Sequence, residues 1–119
     1  MSYVGAATAA AWGILHLVPT RKVAAGFGAI SDDNRNIITM EWIAEGAFLI
    51  FIGTIVIVTT AVDHKAPVSS PVCLVSAAGL IGLAIVSLFT GFKVKFLPFR
   101  LCPVIFTVSA ALILAGAFA

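Results

Sequence analysis

Ile38-Thr-Met-Glu-Trp-Ile-Ala-Glu-Gly46, running directly into the apolar segment 47–62, decides what kind of protein this is. It sets Glu41 and Glu45 one helical turn apart at the start of a stretch with no further charge until Asp63. A carboxylate at a membrane boundary is ordinary. One that lies a turn inside costs roughly 2.5 to 3.5 kcal/mol on insertion scales. What Glu45 faces is therefore the central question for this chain.

The rest of the sequence has the same character. Of 119 residues, 61% are hydrophobic and 10% are charged, against about 25% charged in a soluble domain. A chain this small cannot hide so much apolar surface in one core, so the bilayer must act as its solvent. Uncharged runs cover 1–20, 46–62, 66–92 and 101–119. A spanning helix needs about 20 mostly apolar residues. The runs predict an all-α integral membrane protein, one transmembrane four-helix bundle with spans at about 3–19, 37–62, 71–92 and 101–118. A β-barrel would instead show short segments of alternating hydrophobicity.

The net charge of +2 is no sign of nucleic-acid binding. Arg21, Lys22 and Arg35 fall between the first two spans, and Lys93, Lys95 and Arg100 between the last two, while Lys65 alone falls in the middle loop. The positive-inside rule then puts the first and third loops in the cytoplasm and both termini outside, in a bacterial or archaeal cytoplasmic membrane. The N-terminus lacks the basic start of a secretory signal, so the first span is read as uncleaved. Cys73 and Cys102 belong at opposite membrane faces, too far apart to form a disulfide.

Span one is rich in small residues, among them Gly5, Ala6, Ala9 and Gly13, which let a neighbouring backbone come close. Pro19 ends it. The connection 20–31 is basic and then glycine-rich, an interfacial or re-entrant piece at an anionic lipid surface. Ser31-Asp-Asp-Asn34 is a helix-start signal, with a capping serine and acids at the positive end of the helix dipole. The second long helix is expected over about 32–62, with Asn34, Ile38, Glu41, Glu45 and Phe48 on one face. Span three carries Ala77, Ala78, Gly79, Gly82 and Ala84. The loop Phe92-Lys-Val-Lys-Phe-Leu-Pro-Phe-Arg100 alternates aromatics with cations, the composition of an interface anchor or of a site for an acidic headgroup. Pro103 is expected in the first turn of span four, where proline is tolerated.

Depth can be counted along the helices. Glu45 lies about 25 Å of helix back from Val62, and His16 about 20 Å in from Tyr3. Both land near the inner edge of the hydrocarbon, at the level of Ser87, Thr90, Cys102 and Thr107. The sequence thus predicts an inner-leaflet polar pocket of Trp12, His16, Glu41 and Glu45, with Arg100, Lys93 and Lys95 at its mouth. Glu45 and His16 are the candidate acid and base, since intramembrane ionisable residues face the bundle interior and pair. Three uses are open. The pair can be glue between helices. The pocket can hold the polar head of a quinone, isoprenoid or lipid whose tail lies among the small residues of spans one and three, with histidine and carboxylate suited to proton transfer. Or Glu41, Glu45 and His16 can hold a metal, although the chain has no Glu-x-x-His pair. His64 sits beside Asp63 and Lys65 in the outer loop, where it is read as solvated. Catalytic triads, phosphate-binding loops and dinucleotide fingerprints are absent.

Gly13-Ile-Leu-His16-Leu-Val-Pro19, followed by a glycine-rich interfacial piece and then by Glu45-Gly46 leading to Phe51-Ile-Gly53, resembles the DoxX-like superfamily of small four-span membrane proteins. The resemblance covers the first two spans, and Glu45 falls on the glutamate that precedes glycine in that pattern. The run Asn34-Arg to Glu41-Trp42 is no part of it. The resemblance implies a quinone-linked or redox-accessory role, since the namesakes are small subunits of quinone-reducing or quinol-oxidising complexes. The expected function is an accessory subunit or binder of a hydrophobic ligand. A small membrane enzyme acting on a quinone or isoprenoid and a purely structural subunit are the alternatives. The expected partners are the lipid bilayer and other membrane subunits or further copies of the chain.

Overall fold

A computed structural model describes residues 1–119. The chain is all helical, with no strand: α1 (Ser2–Leu17), α2 (Thr20–Gly26), α3 (Asp32–Asp63), α4 (Ser69–Thr90) and α5 (Leu97–Ala117), with a 3-10 turn, Gly91–Lys93, after α4. Three segments are long and apolar enough to cross a membrane: Asp32–Asp63, Ser69–Lys93 and Leu97–Ala117. The first helix, at 16 residues, is about 24 Å long, shorter than the hydrocarbon core of about 30 Å. The molecule measures 52 × 23 × 18 Å. Its long dimension is set by α3, whose 32 residues span about 48 Å.

Local signals explain the boundaries. The Ser31 hydroxyl accepts from the Asn34 N–H at 3.2 Å, and Asp32 and Asp33 occupy the first turn, so α3 begins where the capping signal lies. Gly28 has φ +68°, a left-handed conformation that glycine adopts without strain. It lets the chain turn back from α2 into α3. Arg35 holds that turn, donating to the carbonyls of Ala24 and Gly28 at 2.8 Å each. The interfacial segment 20–31 is thus a short helix clamped to the foot of α3.

The fourth long helix starts a turn before the expected boundary, at Leu97 with Pro98 in its first turn. Pro103 therefore sits in the helix interior and not in its first turn. Its missing N–H leaves the Phe99 carbonyl without its usual partner. Gly91 lies against that carbonyl, so close that a Cβ there would come within 2.6 Å of the oxygen.

The helices α1, α3, α4 and α5 form one bundle. Leu49, Val56, Leu80, Phe106 and Ile113 are fully buried between them. Large apolar side chains such as Leu15, Phe51, Val75 and Phe89 are exposed on the outside, the pattern of a protein solvated by lipid. Helix α1 runs against both α3 and α5, and its small residues make the contacts. A Cβ on Gly13 would stand 2.7 Å from the Gly46 carbonyl oxygen, and one on Gly5 would stand 2.7 Å from that of Ser109. The small residues of α4 behave differently. Ala77 and Ala84 are buried, but Gly82 has nothing near it and Gly79 meets α3 only at ordinary van der Waals distance. Helices α3 and α4 meet sparsely, leaving an open groove along Phe48, Ile52 and Val75.

Candidate functional site

The inward stripe of α3 is Trp42, Gly46, Leu49, Gly53 and Val56. This differs from the expected face through Asn34, Ile38, Glu41, Glu45 and Phe48, of which Asn34, Glu41 and Phe48 are exposed. The physical reason is steric. Gly46 and Gly53 admit the backbone of α1, which no side with Glu or Phe at those levels would allow. Glu45 lies at the edge of this stripe, half-buried, with one side toward α1 and the other toward the α3–α4 groove.

There it meets His16. The His16 Nε2 to Glu45 Oε2 distance is 3.7 Å, the only approach within 4 Å of a basic and an acidic side chain in the molecule. Trp42 fixes the histidine from the other side. Its indole N–H donates to the His16 backbone carbonyl at 2.8 Å, satisfying a carbonyl in the last turn of α1 that has no helical partner. Its ring stacks on the imidazole with centroids 4.0 Å apart and planes 17° from parallel. Phe99 of α5 packs on the far face of this stack, 5.3 Å from Trp42.

Beside the stack lies a cavity of about 260 Å³, between the lower end of α1 and the start of α5. Trp12, His16, Trp42, Phe99 and Cys102 form its inner wall, and Leu15 and Pro98, both exposed, form its rim on the lipid side. Two polar atoms of its lining residues, Trp12 Nε1 and His16 Nε2, are buried short of a full hydrogen bond: the indole N–H is directed at the Cys102 sulfur and the imidazole nitrogen faces Glu45 at 3.7 Å. Buried polar groups are nearly always paired, and each exception needs an explanation. The third such atom, Ser109 Oγ, is in the α1–α5 contact near Gly5, away from the cavity. The Cys102 thiol points back to its own helix, donating to the Pro98 carbonyl at 3.5 Å. Both cysteines are free.

Of the residues singled out from the sequence, Trp12, His16 and Glu45 come together, with Cys102 at their level. Glu41 does not join them. It is exposed and lines the outer groove with Glu45. Arg100 is also exposed, makes no ion pair and does not line the cavity. Thr90 and Thr107 spend their hydroxyls on the carbonyls of Val86 and Pro103 in their own helices. No group of three His, Cys, Asp or Glu side chains converges to hold a metal ion. Trp42 and Phe99 were not singled out. An aromatic at a membrane boundary normally reads as an interfacial anchor, which masks an inward role. The available signal was spacing: Trp42 precedes Glu45 by three positions, one helical turn.

No family model matches the chain, and no curated protein or solved structure is significantly similar to it.

Proposed function

We propose that this is a four-crossing membrane protein that binds a hydrophobic ligand, a quinone or a lipid, by its polar head in the cavity beside His16 and Glu45, as an accessory subunit or carrier. The observation that carries the reading is the cavity itself, walled by Trp12, His16 and Trp42 directly beside the His16–Glu45 pair. An indole N–H can only donate, so a head group that replaces the Cys102 sulfur at Trp12 is an acceptor such as a carbonyl or ether oxygen. At about 260 Å³ the cavity is smaller than the roughly 300–1,000 Å³ that encloses a whole drug-sized ligand. A head group therefore enters and the tail leaves between Leu15 and Pro98 into lipid. The small residues of α1, expected to receive the tail, are already occupied by the backbones of α3 and α5.

In this reading α1 is the fourth crossing, short but packed along α3 and α5, with both termini outside and α2 at the cytoplasmic face. The resemblance of the first two spans to DoxX-like proteins points the same way. A second reading has an observation of its own. His16 and Glu45, 3.7 Å apart, form an acid–base pair whose histidine lines the cavity, so the same site can protonate a bound quinone or isoprenoid oxygen.

The test is purification in mild detergent, followed by mass spectrometry of retained small molecules and partner chains. Wild-type protein is expected to retain one lipid-soluble species, and His16→Ala and Trp12→Phe are expected to lose it while staying folded. Glu45→Gln separates the readings: retained ligand without turnover marks the enzyme. Wild type that carries no lipid-soluble molecule, with all three variants as stable as wild type, refutes the site.

A further inference from the structure

A second and larger chamber, about 520 Å³, lies on the other side of the wall formed by Pro19, Trp42, Phe96 and Phe99. Helix α2, through Lys22 and Val23, and Phe27 just after it form its floor, and Val94 closes it from the loop before α5. Its lining contains one charged side chain, Lys22, and no acid. Arg21, Lys93 and Lys95 belong to the same two segments, are exposed and form no ion pair. The acids nearest in sequence, Asp32, Asp33 and Glu41, project outward from α3 and do not line the chamber. The floor is held in place by the Arg35 clamp on Ala24 and Gly28.

From this we infer that the chamber under α2 is a binding site for one anionic phospholipid of the adjoining leaflet, its phosphate at Lys22 and its upper acyl chains against Phe27, Phe96 and Trp42. Charge complementarity selects the occupant. A cation on an otherwise apolar, aromatic wall at a membrane boundary suits a molecule that is anionic at one end and hydrocarbon at the other. A zwitterionic lipid would bring its own cation toward Lys22 and gain less. The inference needs α2 to lie at an anionic leaflet. It does not depend on what the inner cavity holds.

Trp42 lines the chamber and reports on it. Protein is reconstituted in vesicles of phosphatidylcholine with a fixed minor fraction of brominated phosphatidylglycerol, or of brominated phosphatidylcholine, bromine being a short-range quencher of tryptophan fluorescence. The Trp12→Phe variant leaves Trp42 as the only reporter, and the wild-type chain gives the same comparison with two tryptophans should that variant fold poorly. The brominated anionic lipid is expected to be enriched at Trp42 about fivefold over the zwitterionic one, equivalent to about 1 kcal/mol for one lysine at the surface. Lys22→Gln is expected to bring the ratio to about one, whereas Lys95→Gln, a loop cation outside the lining, leaves it high. Equal quenching by the two lipids in the wild-type chain overturns the inference. So does an equal loss in Lys22→Gln and Lys95→Gln, which would mean general attraction to the basic loops and no site.

Discussion

Replacing Gly13 by alanine tests the contact on which the site depends. Between helices in lipid there is no hydrophobic driving force, so α1 and α3 are held by close packing and interhelical hydrogen bonds. The Cβ of an alanine at position 13 would stand 2.7 Å from the Gly46 oxygen and 2.9 Å from Leu49 Cβ and Ile50 Cγ1. Two of these neighbours are backbone or Cβ atoms and cannot swing aside, so the helices must separate. A gap of about 0.5–1 Å forfeits a quarter to a half of each dispersion contact along the seam, and overpacking costs about 1–3 kcal/mol. Alanine returns roughly 0.5–1 kcal/mol of helix preference, leaving a net loss of up to about 2.5 kcal/mol. Gly82→Ala, with nothing near its Cβ, gains the preference alone. Unfolding in mixed micelles, followed by tryptophan fluorescence against SDS mole fraction, should place Gly13→Ala below wild type and Gly82→Ala at or above it. His16 lies one turn from Gly13, so ligand retention should fall with stability. Gly13→Ala as stable as wild type, with Gly82→Ala the weaker of the two, would refute the α1–α3 packing and with it the 3.7 Å approach of His16 to Glu45.

Further outcomes follow from single contacts. Trp42→Phe keeps a ring against His16 but loses the 2.8 Å bond to its carbonyl, and should cost about 0.5–1.5 kcal/mol in the same unfolding assay. Arg35→Gln removes both clamps on the turn between α2 and α3. Amide exchange should quicken about tenfold over 20–30, as expected for the loss of charge-assisted bonds in a locally opening segment, with little change in α4. Topology is checked by cysteine labelling in a background lacking Cys73 and Cys102. An impermeant thiol reagent added to intact cells should reach a cysteine at Pro67 and not one at Lys95, and the reverse pattern would invert the proposed orientation.

Much of the fold could be read from where apolar runs meet charge, proline and caps. Ser31 starts α3 and Pro19 stops α1 because those signals are local. Counting 1.5 Å per residue along two helices was enough to bring His16 and Glu45 to one level. What could not be read was which way each helix turns. In water the apolar face of a helix points inward, but in lipid both faces are apolar, so the row from Asn34 through Glu41 to Phe48 is a misleading guide. Size was the better one: Gly46 and Gly53 mark the side where α1 lies. Arg100 shows the same limit for loops, since depth counting gives a level but no direction. Pro103 moved into the helix interior because α5 begins at Leu97, and nothing in the apolar run 101–119 reveals that extra turn.

The strongest competing account is that Glu45 and His16 are only a buried pair that glues α3 to α1. Such a pair needs two partners and nothing else. It leaves Trp12 unexplained, because phenylalanine in its place would pack against α5 without burying an indole N–H whose nearest acceptor is a weak one, the Cys102 sulfur. It also leaves the cavity beside the pair unexplained. Helix glue is best made with no void, and the α1–α3 seam one turn away is packed to backbone contact at Gly13 and Gly46. A chain that closes that seam so tightly yet leaves about 260 Å³ open beside His16 has room there for an occupant. The stack of His16, Trp42 and Phe99 then acts as the wall that holds the imidazole between Glu45 and that opening.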